Sequence, residues 1–485
     1  MALSQTFDNT MPTTLLDLLS NTLVLRQTAP YLPVSAIYAL AATSKSFHNI
    51  VHQSPEVFRY LDLSTVKSAV AHYIPLDSGG ISWRAERMDE SLTEDEFYSG
   101  PLRGIFSKLS RRNLLRNVHT LVLDGLSVPV DLVREIIAED RFNVRILSIR
   151  EVKNLNERKL MQVLRYAVRP TRPEGTPKLK GLYIFGPREP IPTEHTPKKK
   201  KKPPPKATQG ITSSKGAQIG AEWNYRSLEA LNTALTRTED KWYQSSGHMF
   251  SKRPSLEWAE TIKACEGIIF FDAVLCRGPR HDAQTAYINE GPSTGTYHPF
   301  SYLNPAIATV ALGPAGCSSC HSAPEGISVF GQSPAARFPL LSPPPLHSAS
   351  LRAAQMPVTT DGSAPPPLIV RCEYCLRGRW CERCHKWWDE TCYAGSAIAS
   401  RTALQQVEYL EETNGALDVR HVKEIKIGVK RDCFGCGHTC AECKEVFIRK
   451  CRQCRNEYCM ADNDASSSTT CDWCNYTARR TVEPY

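Results

Sequence analysis

The chain has 485 residues, enough for two to four domains with a sizeable buried core. Its first thirty residues lack a secretory signal, and no stretch approaches the roughly 18 consecutive apolar residues of a membrane helix. We therefore expect no membrane partner and a location in the nucleus or cytoplasm, where cysteines bind metals rather than each other.

Short helices are predicted between residues 13 and 65. Thr14 precedes an apolar run that opens one helix, and Pro33 stands where a first helical turn accepts proline. Ser54 and Pro55 predict a further helix that continues through Leu61, since a capping residue is followed by proline at the first helical position.

This N-terminal segment resembles an F-box. The residues that carry the resemblance are Tyr31-Leu32-Pro33, Ile37-Tyr38-Ala39-Leu40-Ala41, Thr43-Ser44-Lys45-Ser46-Phe47 and Ser54-Pro55-Glu56-Val57-Phe58-Arg59-Tyr60-Leu61-Asp62-Leu63. Ser20-Asn21 departs from the family, which usually has Leu-Pro there. The resemblance implies that Leu32, Pro33, Ile37 and Leu40 dock a Skp-type adaptor, which in turn binds a cullin. The alternative is a helical cap on the repeats that follow.

An apolar pattern then recurs three times, and each copy matches the strand template of a leucine-rich repeat. The copies are Val118-x-x-Leu121-x-Leu123, Val144-x-x-Leu147-x-Ile149 and Leu179-x-x-Leu182-x-Ile184. Helices are predicted after the first two, at 130–138 and 156–168. Further along, a helix at 256–265 and strands at 268–271 and 306–312 are expected to extend a parallel stack. An ordinary α/β domain is the alternative.

Two linkers are predicted to interrupt these repeats. Residues 187–214 are rich in lysine and proline, and residues 333–368 contain two Pro-Pro-Pro runs, so neither is expected to bury enough apolar surface to fold. In the first linker Lys198, Lys199, Lys200, Lys201 and Lys202 resemble a nuclear import signal. With Lys206 they supply six of the charges in a net charge of +9, so we do not expect a folded basic face for nucleic acid.

The last third of the chain is rich in paired cysteines. Fourteen of the 18 cysteines form seven Cys-x-x-Cys pairs, namely Cys317/Cys320, Cys372/Cys375, Cys381/Cys384, Cys433/Cys436, Cys440/Cys443, Cys451/Cys454 and Cys471/Cys474. Each pair presents two sulfurs to one point, as two vertices of a zinc tetrahedron require. We predict three to four structural Zn²⁺ ions, with Cys459 as an additional ligand. Disulfides, an iron–sulfur cluster and a redox motif are disfavoured by compartment and spacing.

The pairing of these cysteines stays open at the sequence level. Cys372/Cys375 and Cys381/Cys384 are close enough in sequence to share one ion, with His385 and Cys392 in reserve. The array from Cys433 to Cys474 allows either alternate or neighbouring pairs to share an ion. Cys317/Cys320 has His321, Cys276 or the Cys372 cluster as candidate partners. Trp387 and Trp388 are expected to pack on a zinc-binding turn.

The zinc module is expected to bind protein. Between Cys372 and Tyr485 there are 17 basic and 17 acidic side chains, and each four-thiolate site adds a charge of about −2, which disfavours phosphate binding. The spacing Cys436-x-x-x-Cys440 lacks the long loop of a RING ubiquitin ligase. Cys440 to Cys459 resembles only the start of a MYND finger.

The predicted fold class is α+β and multidomain. It comprises an F-box-like helical segment (13–65), leucine-rich-repeat-like regions (100–186 and 215–332), the linkers, and a zinc-stabilised module (369–485). The layout resembles fungal F-box proteins with cysteine-rich tails. That resemblance implies a non-enzymatic substrate receptor of a cullin-type ubiquitin ligase, which binds an unknown protein target. The alternatives are a zinc-dependent scaffold, nuclear or chromatin-associated, and a self-sufficient zinc-finger ligase.

Overall fold

The structure of the protein is a computed structural model with mixed helix and strand. It describes residues 14–70, 94–189, 247–250, 253–281, 303–313, 315–323, 326–357, 365, 367–393, 430–433, 437–461 and 466–475, with the backbone alone at 94–97, 248 and 430–433. Every helix in these ranges is too short or too polar to cross a lipid bilayer. The chain forms two compact units. The first contains residues 1–240, 264–272 and 339–363, and the second contains 241–263, 273–338 and 364–485.

Four α-helices begin the first unit, in the predicted segment. They are α1 (Leu15–Ser20), α2 (Thr22–Thr28), α3 (Val34–Thr43) and α4 (Lys45–Gln53). Thr14 caps α1 because its side chain accepts from the Asp17 backbone N–H while the Asp17 carboxylate accepts in return. The predicted helix after Ser54 is wrong, since a turn there leads into strand β1 (Tyr60–Asp62).

A five-stranded parallel sheet follows these helices. Its strands are β1, β2 (Thr120–Val122), β3 (Ile146–Ser148), β4 (Gly181–Tyr183) and β6 (Phe270–Phe271), in that order across the sheet. The central residues Leu61, Leu121, Leu147, Leu182 and Phe271 stand opposite one another along the sheet, and all are buried. The three strands predicted from the repeated pattern are therefore confirmed as parallel neighbours.

Helices accompany the sheet in chain order. They are α5 (Glu94–Arg111), α6 (Val130–Ala138), α7 (Glu157–Ala167) and α8 (Glu257–Cys265). The positions of α6 and α7 agree with the prediction. Asn156 ends the loop before α7 by accepting from the Lys159 backbone N–H, as an N-cap residue does. Each short strand thus alternates with a helix, so the sheet can be built from parallel strands.

Buried charges lie just beyond the carboxyl ends of the strands. Arg150 donates to Asp124 at 2.7 Å, and both side chains are about 5% exposed. The Asp272 carboxylate accepts from the backbone N–H groups of residues 184–186. These contacts satisfy polar groups that the end of a buried sheet would otherwise leave unpaired.

The predicted linker at 333–368 is wrong for the part described. Leu340, Leu341 and Ala354 are buried, and Leu340 and Ala354 pack with Ile146 and Tyr183. A short helix, α9 (Leu351–Gln355), forms within this stretch. Proline content predicted an extended chain, but the leucines between the prolines supply enough apolar surface for this segment to fold.

The second unit contains a three-stranded antiparallel sheet. It comprises β5 (Gly247–His248), β7 (Val310–Leu312) and β8 (Ile369–Arg371), with β7 at the centre. The prediction that 306–312 extends the parallel stack is therefore wrong. Two short hairpins follow, β9 (Lys430–Cys433) with β10 (Gly437–Thr439) and β11 (Ile448–Lys450) with β12 (Glu457–Cys459), and helix α10 (Ala441–Phe447) separates them.

Candidate metal centres

Three Cys-x-x-Cys pairs share one backbone turn. In each, the first cysteine's carbonyl accepts from the residue four positions later, and its N–H donates to the carbonyl five positions later. The fourth residue after that cysteine has a left-handed backbone, with φ of 55°, 58° and 59° at His321, His385 and Arg455. The turn begins at Cys317, Cys381 and Cys451. It aims both sulfurs to one side, as a metal ligand pair requires.

Two further pairs lie at helix starts. Cys440 is the N-cap residue of α10, and its carbonyl accepts from the Lys444 N–H at 2.9 Å. Cys471 precedes a helical turn at 472–475, and its carbonyl accepts from the Asn475 N–H at 2.9 Å. In both, the second cysteine follows one helical turn later and lies on the same face as the first.

The first complete group joins one turn pair to one helix pair. Cys381, Cys384, Cys440 and Cys443 place their sulfurs within 4.8 Å of one another. The Cys381–Cys443 and Cys384–Cys440 sulfur separations are 3.8 and 3.7 Å. Four sulfurs bound tetrahedrally at about 2.3 Å from one ion stand about 3.8 Å apart, whereas a disulfide brings two sulfurs to about 2.05 Å. The spacing therefore fits a shared metal ion rather than disulfides.

The second complete group repeats this design. Cys451, Cys454, Cys471 and Cys474 lie within 4.8 Å of one another, and Cys454 and Cys471 have sulfurs 3.7 Å apart. The Cys471 backbone N–H donates to the Cys451 sulfur at 3.5 Å. This donor and that of Cys454 lower the pKa of Cys451 to about 6. The local backbone thus favours the thiolate, which is the form that binds metal.

A third group has three cysteines. Cys317, Cys320 and Cys392 place their sulfurs within 4.8 Å of one another. Backbone N–H groups of Ser319 and Asp389 donate to the Cys317 sulfur at 3.4 and 3.2 Å. Cys320 is exposed, unlike the buried Cys317. This group can supply three thiolate ligands from residues that the structure describes.

A fourth group mixes cysteine and histidine. Cys276, His281 and Cys372 place their ligand atoms within 4.8 Å of one another, and Cys375 lies beside them. The sequence did not predict His281 as a ligand, and Cys276 was expected only as a partner of Cys317/Cys320. The one available signal was the short Cys276-x-x-x-x-His281 spacing, which does not match the Cys-x-x-Cys template.

The structure decides several of the open pairings. Cys372 and the pair Cys381/Cys384 belong to different groups, so the two pairs do not share one ion, which the sequence had left open. Cys440/Cys443 and Cys451/Cys454 are also separated. Cys317/Cys320 joins Cys392 instead of His321, Cys276 or the Cys372 cluster. Cys451/Cys454 shares its group with the next pair along the chain, Cys471/Cys474, as the neighbouring arrangement allows, whereas Cys317/Cys320 and Cys381/Cys384 meet cysteines that are remote in sequence.

Other predicted residues have mixed outcomes. Cys459 lies outside all four groups formed by described residues, with its sulfur 3.8 Å from an Arg383 guanidinium nitrogen, so its role as a ligand stays a prediction. The side chain of Cys433 and all of Cys436 lie outside the described residues. Trp387 packs with Cys317, and Trp388 packs against the Cys381 group, which confirms the expected packing on metal-binding turns.

The predicted adaptor-binding residues differ in exposure. Leu32 is 39% exposed, Pro33 is exposed and Leu40 is half-buried, whereas Ile37 is only 4% exposed. The Ile37 side chain supports the interior of the helical segment, so its predicted role in direct docking is wrong. Lys198, Lys199, Lys200, Lys201 and Lys202 lie outside the described residues.

No protein-family model and no curated protein matches this chain.

Proposed function

We propose that the cysteine groups hold structural zinc, three to four ions per chain. The donor sets support this because two groups offer four thiolates each at separations that a tetrahedral ion requires. A tetrahedral set of four sulfurs is typical of zinc or of an iron–sulfur centre, and zinc is favoured because the usual cysteine spacings of iron–sulfur clusters are absent from the sequence. In the two four-cysteine groups the protein ligands leave no open coordination position, so these two sites stabilise the fold rather than activate a substrate.

Elemental analysis tests the zinc assignment. We expect protein purified under reducing conditions to contain three to four zinc ions per chain, with no substantial iron. Fewer than two zinc ions per chain, or iron in comparable amount, would contradict the proposal. The measurement is the metal-to-protein ratio by mass spectrometry after gel filtration in chelator-treated buffer.

We further propose that the chain is a non-catalytic substrate receptor of a cullin-type ubiquitin ligase. The observation that carries the proposal is a set of exposed apolar side chains on the N-terminal helices. Leu15, Leu18 and Leu23 are 56%, 47% and 70% exposed, and Tyr31 is 67% exposed. These four side chains lie on one short segment of the chain, and exposed apolar side chains that form a continuous patch are typical of a protein-binding surface.

The family resemblance supplies the partner for this surface. F-box segments dock a Skp-type adaptor through apolar residues of this kind, and the adaptor links them to a cullin. The parallel sheet and the zinc module would then hold the target protein. Ubiquitin transfer would be performed by other subunits, so the chain needs no catalytic residues of its own.

Substitutions at the exposed side chains test the docking surface. We expect Leu23→Asp together with Leu32→Asp to abolish co-purification of the adaptor and the cullin. The reason is that a charge at the centre of an apolar interface is buried without a partner. Both residues are exposed, so the thermal transition and the zinc content of the variant should match the wild type.

Ile37→Ala is the matched control, since Ile37 is buried in the same segment. It should lower stability by about 2–5 kcal/mol and reduce adaptor recovery only through unfolding. Failure to recover any adaptor with the wild-type chain would contradict the receptor proposal. In that case the helices would cap the repeats, and the zinc-dependent scaffold would be the better explanation.

A further inference from the structure

The fourth metal group begins at a turn between residues 276 and 281. Cys276 is buried, and its N–H donates to the Ala306 carbonyl at 2.8 Å, which anchors the start of the turn. The His281 N–H donates to the Gly278 carbonyl at 2.9 Å, and the Leu303 N–H donates to the Arg280 carbonyl at 2.8 Å. The backbone therefore fixes Cys276 and His281 on one compact turn.

A second turn, directly after β8, brings the other two ligands. The Cys375 N–H donates to the Cys372 sulfur at 3.3 Å, and the Leu376 N–H donates to the Cys372 carbonyl at 3.2 Å. Both cysteines are buried. Because β8 pairs with the central strand β7, the sheet holds this turn in place.

The donor atoms of the two turns meet. His281 Nε2 lies 2.9 Å from the Cys372 sulfur, although the residues are 91 positions apart in sequence. The Cys276 sulfur lies within 4.8 Å of the Cys372 sulfur and of the His281 ligand nitrogen. A methyl group at Gly278 would stand 2.2 Å from the Cys375 sulfur, so the absence of a side chain there allows the turns to approach. The ligand atoms of Cys276, His281 and Cys372 thus converge, and the Cys375 sulfur lies against the same turn at Gly278.

Surrounding groups orient these donors as metal ligands need. His281 Nδ1 lies 3.4 Å from the Leu303 carbonyl oxygen. An Nδ1–H that donates to this oxygen leaves the Nε2 lone pair directed at the cysteines, which is the usual arrangement of a metal-bound histidine. Arg379 donates to the Cys375 sulfur at 3.4 Å and pairs with Glu390 at 3.1 Å. A buried guanidinium thus fixes the position of the Cys375 side chain at the edge of the group.

We propose that Cys276, His281, Cys372 and Cys375 form a Cys₃His zinc site. The site joins the turn at 276–281, which precedes β7 in the chain, to the turn that begins at Cys372, directly after β8. It therefore links two segments that flank the antiparallel sheet in the sequence. This inference rests on the proposal that the chain binds structural zinc. It assigns one of those ions to a ligand set with only one Cys-x-x-Cys pair, completed by a cysteine and a histidine from another turn. A metal-free network of hydrogen bonds among the same side chains is the competing explanation.

Histidine substitutions in the full-length protein test this site. We expect His281→Asn to lower the zinc content by one ion per chain, and His281→Cys to restore it because a fourth thiolate can replace the imidazole. His321→Asn is the matched control. His321 directly follows Cys320, and its φ of 55° is a conformation that asparagine tolerates. It lies outside the metal groups of the described residues. Its zinc content should equal that of the wild type.

Cadmium substitution gives a second readout of the ligands. The ¹¹³Cd spectrum of the wild type should contain one resonance shifted from those of the four-thiolate sites, since imidazole shields cadmium more than a thiolate does. That resonance should move to the four-thiolate region in His281→Cys and disappear in His281→Asn. Equal zinc content in all three histidine variants, with no displaced ¹¹³Cd resonance, would overturn the Cys₃His site and leave the four-cysteine sites intact. A wild type without zinc would instead overturn the underlying zinc proposal.

Discussion

The parallel sheet and the cysteine-rich hairpins are held together by different means. In the sheet, a column of large apolar residues is 0–2% exposed, and its three central members, Leu121, Leu147 and Leu182, each have a neighbour on both adjacent strands. Around β11 and β12 the buried cluster consists of Tyr458 with Cys451, Cys471 and Cys474, so most of the buried side chains are themselves candidate ligands. Apolar burial can stabilise the first region, whereas the second depends on what its sulfurs bind.

Metal removal should separate the two regions most strongly. Structural zinc contributes apparent binding free energies of about 10–16 kcal/mol in small zinc-binding peptides, far more than the apolar contacts of a small hairpin. We expect a strong chelator, with a reductant present, to abolish the protection of backbone amides at 437–461. Protection at β2, β3 and β4 should persist. Hydrogen exchange followed by mass spectrometry measures both regions in one sample.

Addition of zinc to the chelated protein is the control, and it should restore protection at 437–461. Calcium should not, since four thiolates are soft ligands and calcium requires oxygen ligands. Unchanged protection after chelation would show that the hairpins are stable without metal and that the contrast between the regions is wrong.

A pair of serine substitutions sharpens the comparison within the cysteine-rich region. Cys451→Ser removes one thiolate of a four-cysteine group, so we expect the loss of about one zinc ion per chain and rapid proteolysis within 448–475. Cys459→Ser changes a buried cysteine on the neighbouring strand that belongs to none of the groups, and zinc content should be unchanged. The measurements are zinc stoichiometry and the rate of limited proteolysis.

Equal zinc loss in both variants would mean that Cys459 is a ligand after all. The sequence suggested that role because Cys459 ends the stretch from Cys440 that resembles the start of a MYND finger. The structure places it on β12 opposite Ile448, with its sulfur beside Arg383, and so separates it from the group.

The two regions also differ in how much their sequences reveal. The strands of the parallel sheet could be predicted because each carries the same short apolar pattern, and neighbours in sequence are neighbours in the sheet. The strand β1 was missed because Ser54-Pro55 carries a strong helix-start signal, yet Tyr60–Asp62 extends the edge of an existing sheet. Tertiary pairing therefore outweighed the local preference.

The metal groups could be predicted only as pairs. A Cys-x-x-Cys turn is a local structure, so its spacing reveals two ligands of one ion. The other two ligands depend on the tertiary fold. Cys381 and Cys443 are 62 residues apart. Cys317 and Cys392 are also distant in sequence, and both pack in the apolar cluster that contains Trp387. His281 has a local partner in Cys276, but their Cys-x-x-x-x-His spacing does not match the Cys-x-x-Cys template, so the pair was not recognised.

The smallest expected effect concerns the buried ion pair at the end of the parallel sheet. Asp124 accepts from the Arg150 guanidinium at 2.7 and 3.0 Å, from the Arg150 backbone N–H at 2.8 Å and from the Ser148 hydroxyl at 2.6 Å. Asp124→Ala would leave the buried guanidinium with the half-exposed Glu189 as its charged partner, beside the Pro187 carbonyl and the Ser148 hydroxyl. Removal of one member of a buried pair costs about 3–5 kcal/mol. We expect a loss of this size from the unfolding free energy of the sheet.

Asp131→Ala is the matched control, because Asp131 pairs with Arg134 at 3.5 Å and both side chains are more than half exposed. An exposed pair of this kind contributes at most about 0.5 kcal/mol, so this variant should keep the wild-type stability. Amide exchange at β2 and β3 reports the free energy of opening for both variants, while zinc content reports the other region. A loss of zinc in Asp124→Ala would contradict the idea that the sheet and the metal groups are stabilised separately. A loss confined to the sheet would show that polar contacts at the strand ends, and not the leucine column alone, determine its stability.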